Sequence, residues 1–349
     1  LKINSLNHLG FEEVPTIMRS LNALLTYIEK NIGQSFKHIK TPHFYSQNSH
    51  FVIDSTSQRA LELVRPHFFE NKNVTLLNNL DTCATVTGSK TLKAWILSPL
   101  ESREKIMERQ QAIQWLTKKL PVKENFKGIG DLAHTATRIA LEKCNHRQLY
   151  SLSETIEKVF TAGIFLDNSN QKCIEKAVSL FKSDELQRIK KEIRSVISKS
   201  NSQSSKESFL IKSGHNSQLD AFRKQRALLS KELLKLELSE REKTKISSLK
   251  IGYSSVHGHF IEVSSNFKNK VPERYRRKQT LKNAERYDIN ELSEIDVKIS
   301  EIDVEIEKFE QQIFLNLCGE LKKSGEFLFE ISENLGVIDA LLSLAQKMV

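Results

Sequence analysis

Glycine, proline and cysteine are scarce in this chain of 349 residues, which contains 12, 6 and 4 of them. The shortage of glycine and proline argues against an all-β fold with many tight turns and favours long helices. No stretch approaches 18 uncharged apolar residues, so the sequence predicts no membrane span. The chain begins with neither methionine nor a signal-peptide pattern, and we expect it to be part of a longer protein.

Clustered metal ligands and catalytic combinations are also lacking. The four cysteines are far apart in the sequence: Cys83, Cys144, Cys173 and Cys318. Their spacing argues against a disulfide scaffold or a zinc ribbon and predicts buried thiols in a reducing compartment. His257 and His259 could share one face of a strand, but no further ligands accompany them. We therefore predict no metal site, no catalytic residues and no bound cofactor in this chain.

The charge of the chain is concentrated in one segment. Basic residues outnumber acidic ones by 53 to 43, and residues 216–287 alone hold 17 basic and 8 acidic residues. Because the remaining sequence is nearly neutral, this segment predicts a local polyanion-binding surface, most often one for nucleic acid. A solvated basic face or a disordered tail is the alternative.

The basic segment lies between two stretches of helical periodicity. Seven apolar residues are spaced alternately by three and four: Leu292, Ile295, Ile299, Ile302, Ile306, Phe309 and Ile313. This spacing predicts a long helix with a heptad seam, and a second seam runs from Leu219 to Leu236. Between them, Lys250–Val263 is rich in β-forming residues and ends in a strand-like alternation. We therefore predict a mainly α fold, in which a helical core with long helices carries an inserted small β-rich module.

Three shorter patterns predict local structure nearer the start of the chain. Phe51–Asp54 has the composition of a short strand, and Ser55 or Ser57 could cap a helix over Arg59–Arg65. Thr82–Leu97 is predicted to be helical. Ser102 has the position of an N-cap for a further helix.

The residues at the end of the basic segment form a long and specific motif. Tyr275–Tyr287 reads Tyr-Arg-Arg-Lys-Gln-Thr-Leu-Lys-Asn-Ala-Glu-Arg-Tyr. Together with Lys250–Val263, it resembles the clamp of the MutS family of DNA mismatch repair proteins. Val86–Leu100, Glu108–Ile113 and Phe51–Arg59 are similar to the core domain of the same family.

The resemblance spans the chain from about Leu9 to Val349 and implies a domain organisation. The family has five domains: mismatch recognition, connector, core or lever, clamp, and an ATPase that also dimerises. This chain is similar only to the third and fourth of them. We accordingly expect a core or lever domain at 1–215 and 288–349, with a clamp domain at 216–287 inserted between its two long helices.

The resemblance also implies a function and partners. The chain would be the lever and clamp module of a MutS-type ATPase, and it would grip duplex DNA, mismatched duplex included, through the phosphate backbone without sequence specificity. The parent protein would be a DNA-dependent ATPase that binds ATP and magnesium in a domain outside this chain. It would form a homodimer, act with a MutL-type repair partner, and reside in the bacterial cytoplasm at the nucleoid. We expect no membrane contact.

Twelve residues are candidates for the backbone grip. Lysine and arginine neutralise phosphates, while glutamine, threonine, asparagine and serine donate hydrogen bonds to phosphate oxygens. The candidates are Arg276, Arg277, Lys278, Gln279, Thr280, Lys282, Asn283, Lys250, Ser264, Ser265, Lys268 and Lys270. Arg286 and Tyr287, where the long helix begins, are interpreted as structural.

The sequence departs from the family pattern by absences. With Gly88 as the second glycine of a phosphate-binding loop, Cys83 stands at the first, and Lys90 follows a serine. We therefore expect no phosphate cradle of that type. Phe11–Glu13 and Phe68–Glu70 match the Phe-x-Glu mismatch wedge of the family in letters only, and we expect neither to act as one.

Two other functions remain open from the sequence. A recombination-type MutS relative would hold branched DNA and lack a mismatch domain. The second bacterial MutS paralogue, which suppresses recombination, lacks the clamp, so the clamp-like sequence of this chain argues against that paralogue. A coiled-coil scaffold protein could present a basic head to a protein or a membrane surface. The neutral hydrogen-bonding residues within Thr280–Tyr287 favour a nucleic-acid grip over a purely electrostatic head.

Overall fold

Two compact units make up the molecule. The computed structural model describes residues 15–32, 51–67, 75–199, 210–254 and 256–349. One unit comprises Leu1–Ser200 and Leu317–Val349, and the other comprises Asn201–Asn316. We call them the helical unit and the sheet unit. The sheet unit contains all of the predicted clamp segment, residues 216–287, but the assignment of lever and clamp domains stays a prediction.

Helices dominate the described residues, and one small sheet accompanies them. The helices are α1 (Pro15–Ile32), α2 (Ser55–Ala60), α3 (Leu76–Leu80), α4 (Val86–Leu97), α5 (Arg103–Thr117), α6 (Leu132–Ala140), α7 (His146–Phe165), α8 (Lys172–Phe181), α9 (Asp184–Val196), α10 (Ser217–Thr244), α11 (Asn290–Lys323) and α12 (Gly325–Gln346). The strands are β1 (Lys250–Ser254), β2 (Gly258–Ser264), β3 (Arg276–Thr280) and β4 (Ala284–Asp288). The predicted mainly α fold with an inserted β module is confirmed. None of the described helices has the length and hydrophobicity needed to cross a membrane.

Helix α12 is the centre of the helical unit. It packs against α4, α5, α6 and α8, and its buried residues lie on every side of the helix. Six of them are large and apolar: Leu328, Ile331, Leu335, Ile338, Leu341 and Leu342. A helix with buried residues on every side is stable only in a core, and these four helices supply that core around α12.

Two glycines let α4 and α12 approach closely. A Cβ on Gly336 of α12 would lie 2.5 Å from Thr91 Oγ1 and 2.9 Å from Thr87 Cγ2 of α4. A Cβ on Gly88 of α4 would in turn clash with the carboxylate of Asp339. The spacing between these helices therefore has no room for a methyl group at either position.

The buried carboxylate of Asp339 holds the start of α4. It accepts hydrogen bonds from Ala84 N at 3.0 Å, Thr85 N at 2.7 Å and Thr85 Oγ1 at 2.6 Å. Burial raises the pKa of Asp339 above its ordinary value, although these hydrogen bonds oppose the shift. Because Thr85 is also the N-cap, the helix predicted over Thr82–Leu97 begins at Val86.

The predicted strand at Phe51–Asp54 is wrong. These residues have no regular secondary structure, and the side chains of Phe51 and Val52 are exposed. The N–H of Phe51 donates one hydrogen bond to the carbonyl of Pro99, at 2.9 Å. A β-forming sequence becomes a strand only beside another strand, and none is paired with it in the described structure.

The predicted helix caps have mixed outcomes. Asp54 caps α2, because its carboxylate accepts hydrogen bonds from the N–H groups of Thr56 and Ser57 at 2.9 and 3.0 Å. The prediction of Ser55 or Ser57 as that cap is therefore wrong, and the helix runs from Ser55 to Ala60 rather than over Arg59–Arg65. Ser102 caps α5, as predicted.

Two long helices flank the sheet in the sequence, as predicted. Within the sheet unit, α10 and α11 pair through Phe222 and Phe309, whose ring centroids are 5.5 Å apart. Beside this contact, the buried Arg223 of α10 donates to the buried Glu310 of α11 at 2.6 Å. Because Phe222 and Phe309 belong to the two predicted seams, the seams contact each other within this unit.

The sheet unit is built on an antiparallel sheet of four strands in the order β1-β2-β4-β3. Directly paired residues of antiparallel strands lie on the same face. Ile251, Ile261 and Tyr287 are paired in this way and belong to the core face. That face packs against residues from both helices and the loops beside them: Leu233, Ile246, Leu249, Ile289, Leu292 and Ile299.

Gly336→Ala should lower the free energy of unfolding by about 1–3 kcal/mol, because the added methyl group would press on Thr87 and Thr91. Gly319 is the matched control: it is helical too, in α11, and a Cβ there would meet no described atom within 4 Å. Gly319→Ala should raise stability by roughly 0.5–1 kcal/mol. Urea unfolding followed by circular dichroism measures both, and equal effects of the two substitutions would contradict the close approach of α4 and α12.

Candidate nucleic-acid interface

The predicted grip residues lie in three parts of the sheet unit. Strand β3 and the turn after it hold seven of them: Arg276, Arg277, Lys278, Gln279, Thr280, Lys282 and Asn283. The end of β2 and the 3₁₀ turn after it hold four more: Ser264, Ser265, Lys268 and Lys270. Lys250 begins β1, at the opposite edge of the sheet from β3. Three strand spacings, or about 14 Å, separate those edges.

The 3₁₀ turn is fastened to the β3–β4 hairpin. The N–H of Ser265 donates to the carbonyl of Asn283 at 3.1 Å. The ammonium of Lys268 pairs with the carboxylate of Glu285 at 2.7 Å. These two contacts bring two separate sequence segments into one surface region. We call it the hairpin surface. It comprises the candidates of β3 and the turn after it and those at the end of β2 and the 3₁₀ turn, and it excludes Lys250.

The cations of β3 face buried carboxylates of β4. Arg276 Nη2 and Lys278 Nζ lie 3.3 and 3.7 Å from Asp288 Oδ2. Arg277 Nη1 lies 3.9 Å from Glu285 Oε1. Both carboxylates are buried, so part of the positive charge of this strand is neutralised inside the unit.

Glu285 is held in its charged form. Hydrogen bonds from Lys268 and Tyr287 keep the pKa of Glu285 below its ordinary value. Burial, together with the hydrogen bond to that carboxylate, raises the pKa of Tyr287 to about 12. The tyrosine therefore stays a hydrogen-bond donor, and Glu285 remains an anchor for the cations around it.

The tip of the hairpin has a different character. The N–H of Leu281 donates to the carbonyl of Ala284 at 2.8 Å and closes a tight turn. Thr280, Lys282 and Asn283 are exposed at this turn. Within the described ranges, no side chain forms a hydrogen bond or an ion pair with theirs. One ammonium and several hydrogen-bonding groups thus face solvent together.

A row of polar side chains crosses all four strands on the face opposite the core. Lys250, Glu262, Arg286 and Gln279 are paired in succession across the sheet. Lys250 lies 2.9 Å from Glu262, Arg286 Nε lies 3.3 Å from Glu262, and Arg286 Nη1 donates to Gln279 Oε1 at 2.8 Å. The Arg286 guanidinium also covers the ring of Phe260, 4.1 Å from its centroid. Lys250 is therefore connected to Gln279 through Glu262 and Arg286.

A buried carboxylate of α10 organises the segment before β3. Glu240 accepts a hydrogen bond from Tyr275 Oη at 2.7 Å and one from Lys243 Nζ at 3.1 Å, and it also pairs with Arg274. Burial alone would raise the pKa of Glu240, but the three hydrogen bonds outweigh burial and lower it. Local sequence does not reveal this residue, because two of its three partners, Arg274 and Tyr275, follow more than 30 positions later.

The other sequence candidates have structural contacts. The Lys270 ammonium lies 5.6 Å from the ring centroid of Phe267. His259 Nδ1 lies 2.5 Å from the carboxylate of Asp296. No group of three or more histidine, cysteine or acidic side chains in the described part of the chain could hold a metal ion.

The motif that resembles a phosphate loop is helical. Gly88–Thr91 lies inside α4, where Thr91 Oγ1 donates to Thr87 O at 2.9 Å and Lys90 pairs with Asp131 at 3.3 Å. A phosphate cradle requires a loop with several free N–H groups converging on the ligand. These residues therefore do not fit the phosphates of ATP. The two Phe-x-Glu patterns, at 11–13 and 68–70, lie outside the described residues.

The fold defines a helical protein that carries a small four-stranded sheet module with an exposed turn containing Lys282. Comparison with protein families adds a match of residues 56–345 to the model of MutS domain III. The chain belongs to this family.

Individual relatives agree with the family match. "DNA mismatch repair protein MutS" of Clostridium kluyveri is 34% identical over 341 residues, which cover 96% of this chain and 39% of the relative. The protein of the same name from Thermotoga maritima is 32% identical over 350 residues, or 97% and 42% of the two chains. The one from Trichodesmium erythraeum is 30% identical over 355 residues, or 100% and 39%. The chain thus spans about two fifths of the length of these relatives.

The stability of the sheet unit should fall in acid. A carboxylate whose pKa is lowered by folding stabilises the native state above its ordinary pKa, which is 4.5 for Glu240, and this contribution is lost as the pH falls through the lowered value. Glu240→Gln should therefore be less stable than the parent at pH 7, and the difference should shrink below about pH 4.5.

Glu242→Gln is the control for this prediction, because Glu242 is an exposed residue of the same helix. Urea unfolding at pH 7 and pH 3.5 measures all three proteins. If the stability difference between Glu240→Gln and the parent were the same at both pH values, the proposed role of the Glu240 charge would be refuted.

Proposed function

We propose that this chain is the lever and clamp part of a MutS-type mismatch repair ATPase, and that its sheet unit grips duplex DNA through the phosphate backbone. The observation that carries the proposal is the hairpin tip. There, Lys282 supplies a cation with no carboxylate partner in the described structure, and Thr280 and Asn283 place hydrogen-bonding groups beside it. Cations and neutral donors in combination suit phosphate oxygens.

The contacts around the tip also support a grip without sequence specificity. Arg276, Arg277 and Lys278 lie 3.3, 3.9 and 3.7 Å from carboxylates of β4, and Arg276 and Arg277 remain exposed at the surface. Reading of base edges requires long side chains that reach into a groove with free donors and acceptors. Side chains held at the surface can meet phosphates, which are the same in every sequence.

The role of the parent protein follows from family membership as a further proposal. The relatives are named as mismatch repair proteins and are longer than this chain. We infer that the parent is a DNA-dependent ATPase of the bacterial cytoplasm, that it binds matched and mismatched duplexes as a homodimer, and that it acts with a MutL-type partner. ATP and magnesium would bind outside this chain, which would couple the grip to the ATPase through its long helices.

The contacts between α10 and α11 weigh against a scaffold with a free coiled-coil seam. Phe222 and Phe309 pair with each other, and so do Arg223 and Glu310. A seam that packs within its own unit offers little apolar surface to a partner helix. We therefore favour the nucleic-acid grip.

Lys282→Ala should weaken binding to DNA and reduce its salt dependence. If the hairpin surface neutralises three to five phosphates, the slope of log K against log salt is about −3 to −4.5, and loss of one phosphate contact should reduce its magnitude by about 0.9. Matched and G·T-mismatched duplexes should be affected alike. Fluorescence anisotropy over a salt series measures these quantities.

Lys143→Ala is the matched control, because it removes the same charge from an exposed position of the helical unit. Its slope should equal that of the parent chain. Equal losses in the two variants would mean that net charge, rather than the hairpin tip, determines binding. A loss confined to the mismatched duplex would also overturn the assignment.

We expect the chain to have no ATPase activity of its own, because the motif at Gly88–Thr91 that resembles a phosphate loop is part of a packed helix. Release of inorganic phosphate from ATP with magnesium should equal that of a mock preparation, with and without DNA. Turnover above that background would contradict the proposal, and its loss in Lys90→Ala would locate the activity at the motif.

A further inference from the structure

The side-chain amide of Gln279 has a defined orientation. One of the two terminal atoms of this amide lies 2.8 Å from Arg286 Nη1. A guanidinium group can only donate hydrogen bonds. The atom in contact must therefore be the carbonyl oxygen, Oε1. The amide nitrogen, Nε2, then points away from Arg286. Nε2 has no hydrogen-bond partner among the described residues. It is also not buried, since it is absent from the buried polar atoms that lack a partner.

Arg286 is itself held from several sides. Its Nε lies 3.3 Å from Glu262 Oε2, and its guanidinium lies over the ring of Phe260. Glu262 also pairs with Lys250 at 2.9 Å. Hydrogen bonds and charge from Lys250 and Arg286 hold the pKa of Glu262 below its ordinary value against the effect of burial. A Cβ on Gly252 would lie 2.8 Å from the Phe260 ring, so the absence of a side chain there leaves room for this ring under Arg286.

We propose that Arg286 is a positioning residue, which holds Gln279 so that its Nε2 donates to a phosphate oxygen of bound DNA. The proposal rests on the proposed function of the sheet unit. Arg286 does not contact the phosphate, because its guanidinium is shared between Glu262, Gln279 and Phe260. It acts on DNA only through the amide of Gln279.

This arrangement determines which ligand atoms the Gln279 amide can bind. A free glutamine amide can turn by half a rotation and offer either a donor or an acceptor. Since Arg286 occupies Oε1, the outward group is a donor only. Phosphate oxygens are acceptors in every nucleotide, whereas base edges present donors and acceptors in a pattern that varies with sequence. A fixed donor therefore suits a grip that must hold any sequence.

A double-mutant cycle tests the proposal with the whole chain and a duplex of fixed sequence. Gln279→Met keeps the length of the side chain and removes the amide, and it should weaken binding about tenfold. Arg286→Lys keeps the charge but lacks the planar fork that reaches Glu262 and Gln279 together, and it should weaken binding about three- to tenfold. The double variant should bind no worse than Gln279→Met, within about twofold.

Two further measurements complete the test. The salt slope should be unchanged in every variant, because none removes a cation. Gln225→Met, at an exposed position of α10, should bind like the parent. If Arg286→Lys weakens binding further in the Gln279→Met background, Arg286 contacts DNA directly and the positioning role is overturned.

Stability and the behaviour of the parent chain separate the remaining explanations. If Arg286→Lys fails to fold, as judged by its thermal transition, Gln279→Met alone still decides, because it leaves Arg286 in place; binding equal to the parent's would refute the inference. If the unsubstituted chain binds no duplex at low salt, the proposed function fails. If it binds and Gln279→Met has no effect, only this inference fails.

Discussion

Four carboxylates placed among cations are the constraint on which the sheet unit depends. Glu240, Glu285 and Asp288 are buried, and Glu262 is largely covered. A carboxylate removed from water is destabilising unless cations and hydrogen-bond donors surround it. Each of these four has such partners, drawn from β1, β3, β4, the 3₁₀ turn or the segment before β3. The positions of the basic side chains are thus largely set by the acids that they neutralise.

This pairing changes the meaning of the positive charge in the sequence. Residues 268–286 contain eight basic residues and two acidic ones, which suggests a uniformly basic surface. Within the described structure, six of the eight have a carboxylate within ion-pair distance. Four of the five carboxylates involved, Glu240, Glu262, Asp288 and Glu291, lie outside that segment in the sequence. Lys270 and Lys282 have no such partner in the described structure. The segment therefore has fewer unpaired cations than the count of basic residues implies.

The helical unit shows the same dependence on neighbours. Gly88 and Gly336 are required because α4 and α12 pack too closely for a methyl group, and Asp339 of α12 holds the start of α4. The letters of Gly88–Thr91 resemble a phosphate loop, but this packing gives them another use. A motif of small and hydroxylated residues serves equally well for ligand binding and for close contact between helices, and only the surrounding structure distinguishes the two.

Local patterns in the sequence determined the long helices and the β-rich module between them. The spacing of apolar residues by three and four, the cap at Ser102 and the alternation before Ser264 are properties of neighbouring residues, so they can be read without the fold. The motif at Tyr275–Tyr287 was likewise sufficient to indicate the family. The strand expected at Phe51–Asp54 failed because a strand needs a partner that local sequence does not supply.

The tertiary structure alone decided which cations are neutralised, which face of the sheet each side chain occupies, and that Arg286 holds Gln279. Strand register assigns these contacts, and a shift of one residue would move every side chain to the other face. Glu240 and Tyr275 are 35 positions apart in the sequence, and Glu262 and Arg286 are 24 apart. No local pattern encodes such pairs, because they form only when hydrophobic packing on α10 and α11 brings the strands together.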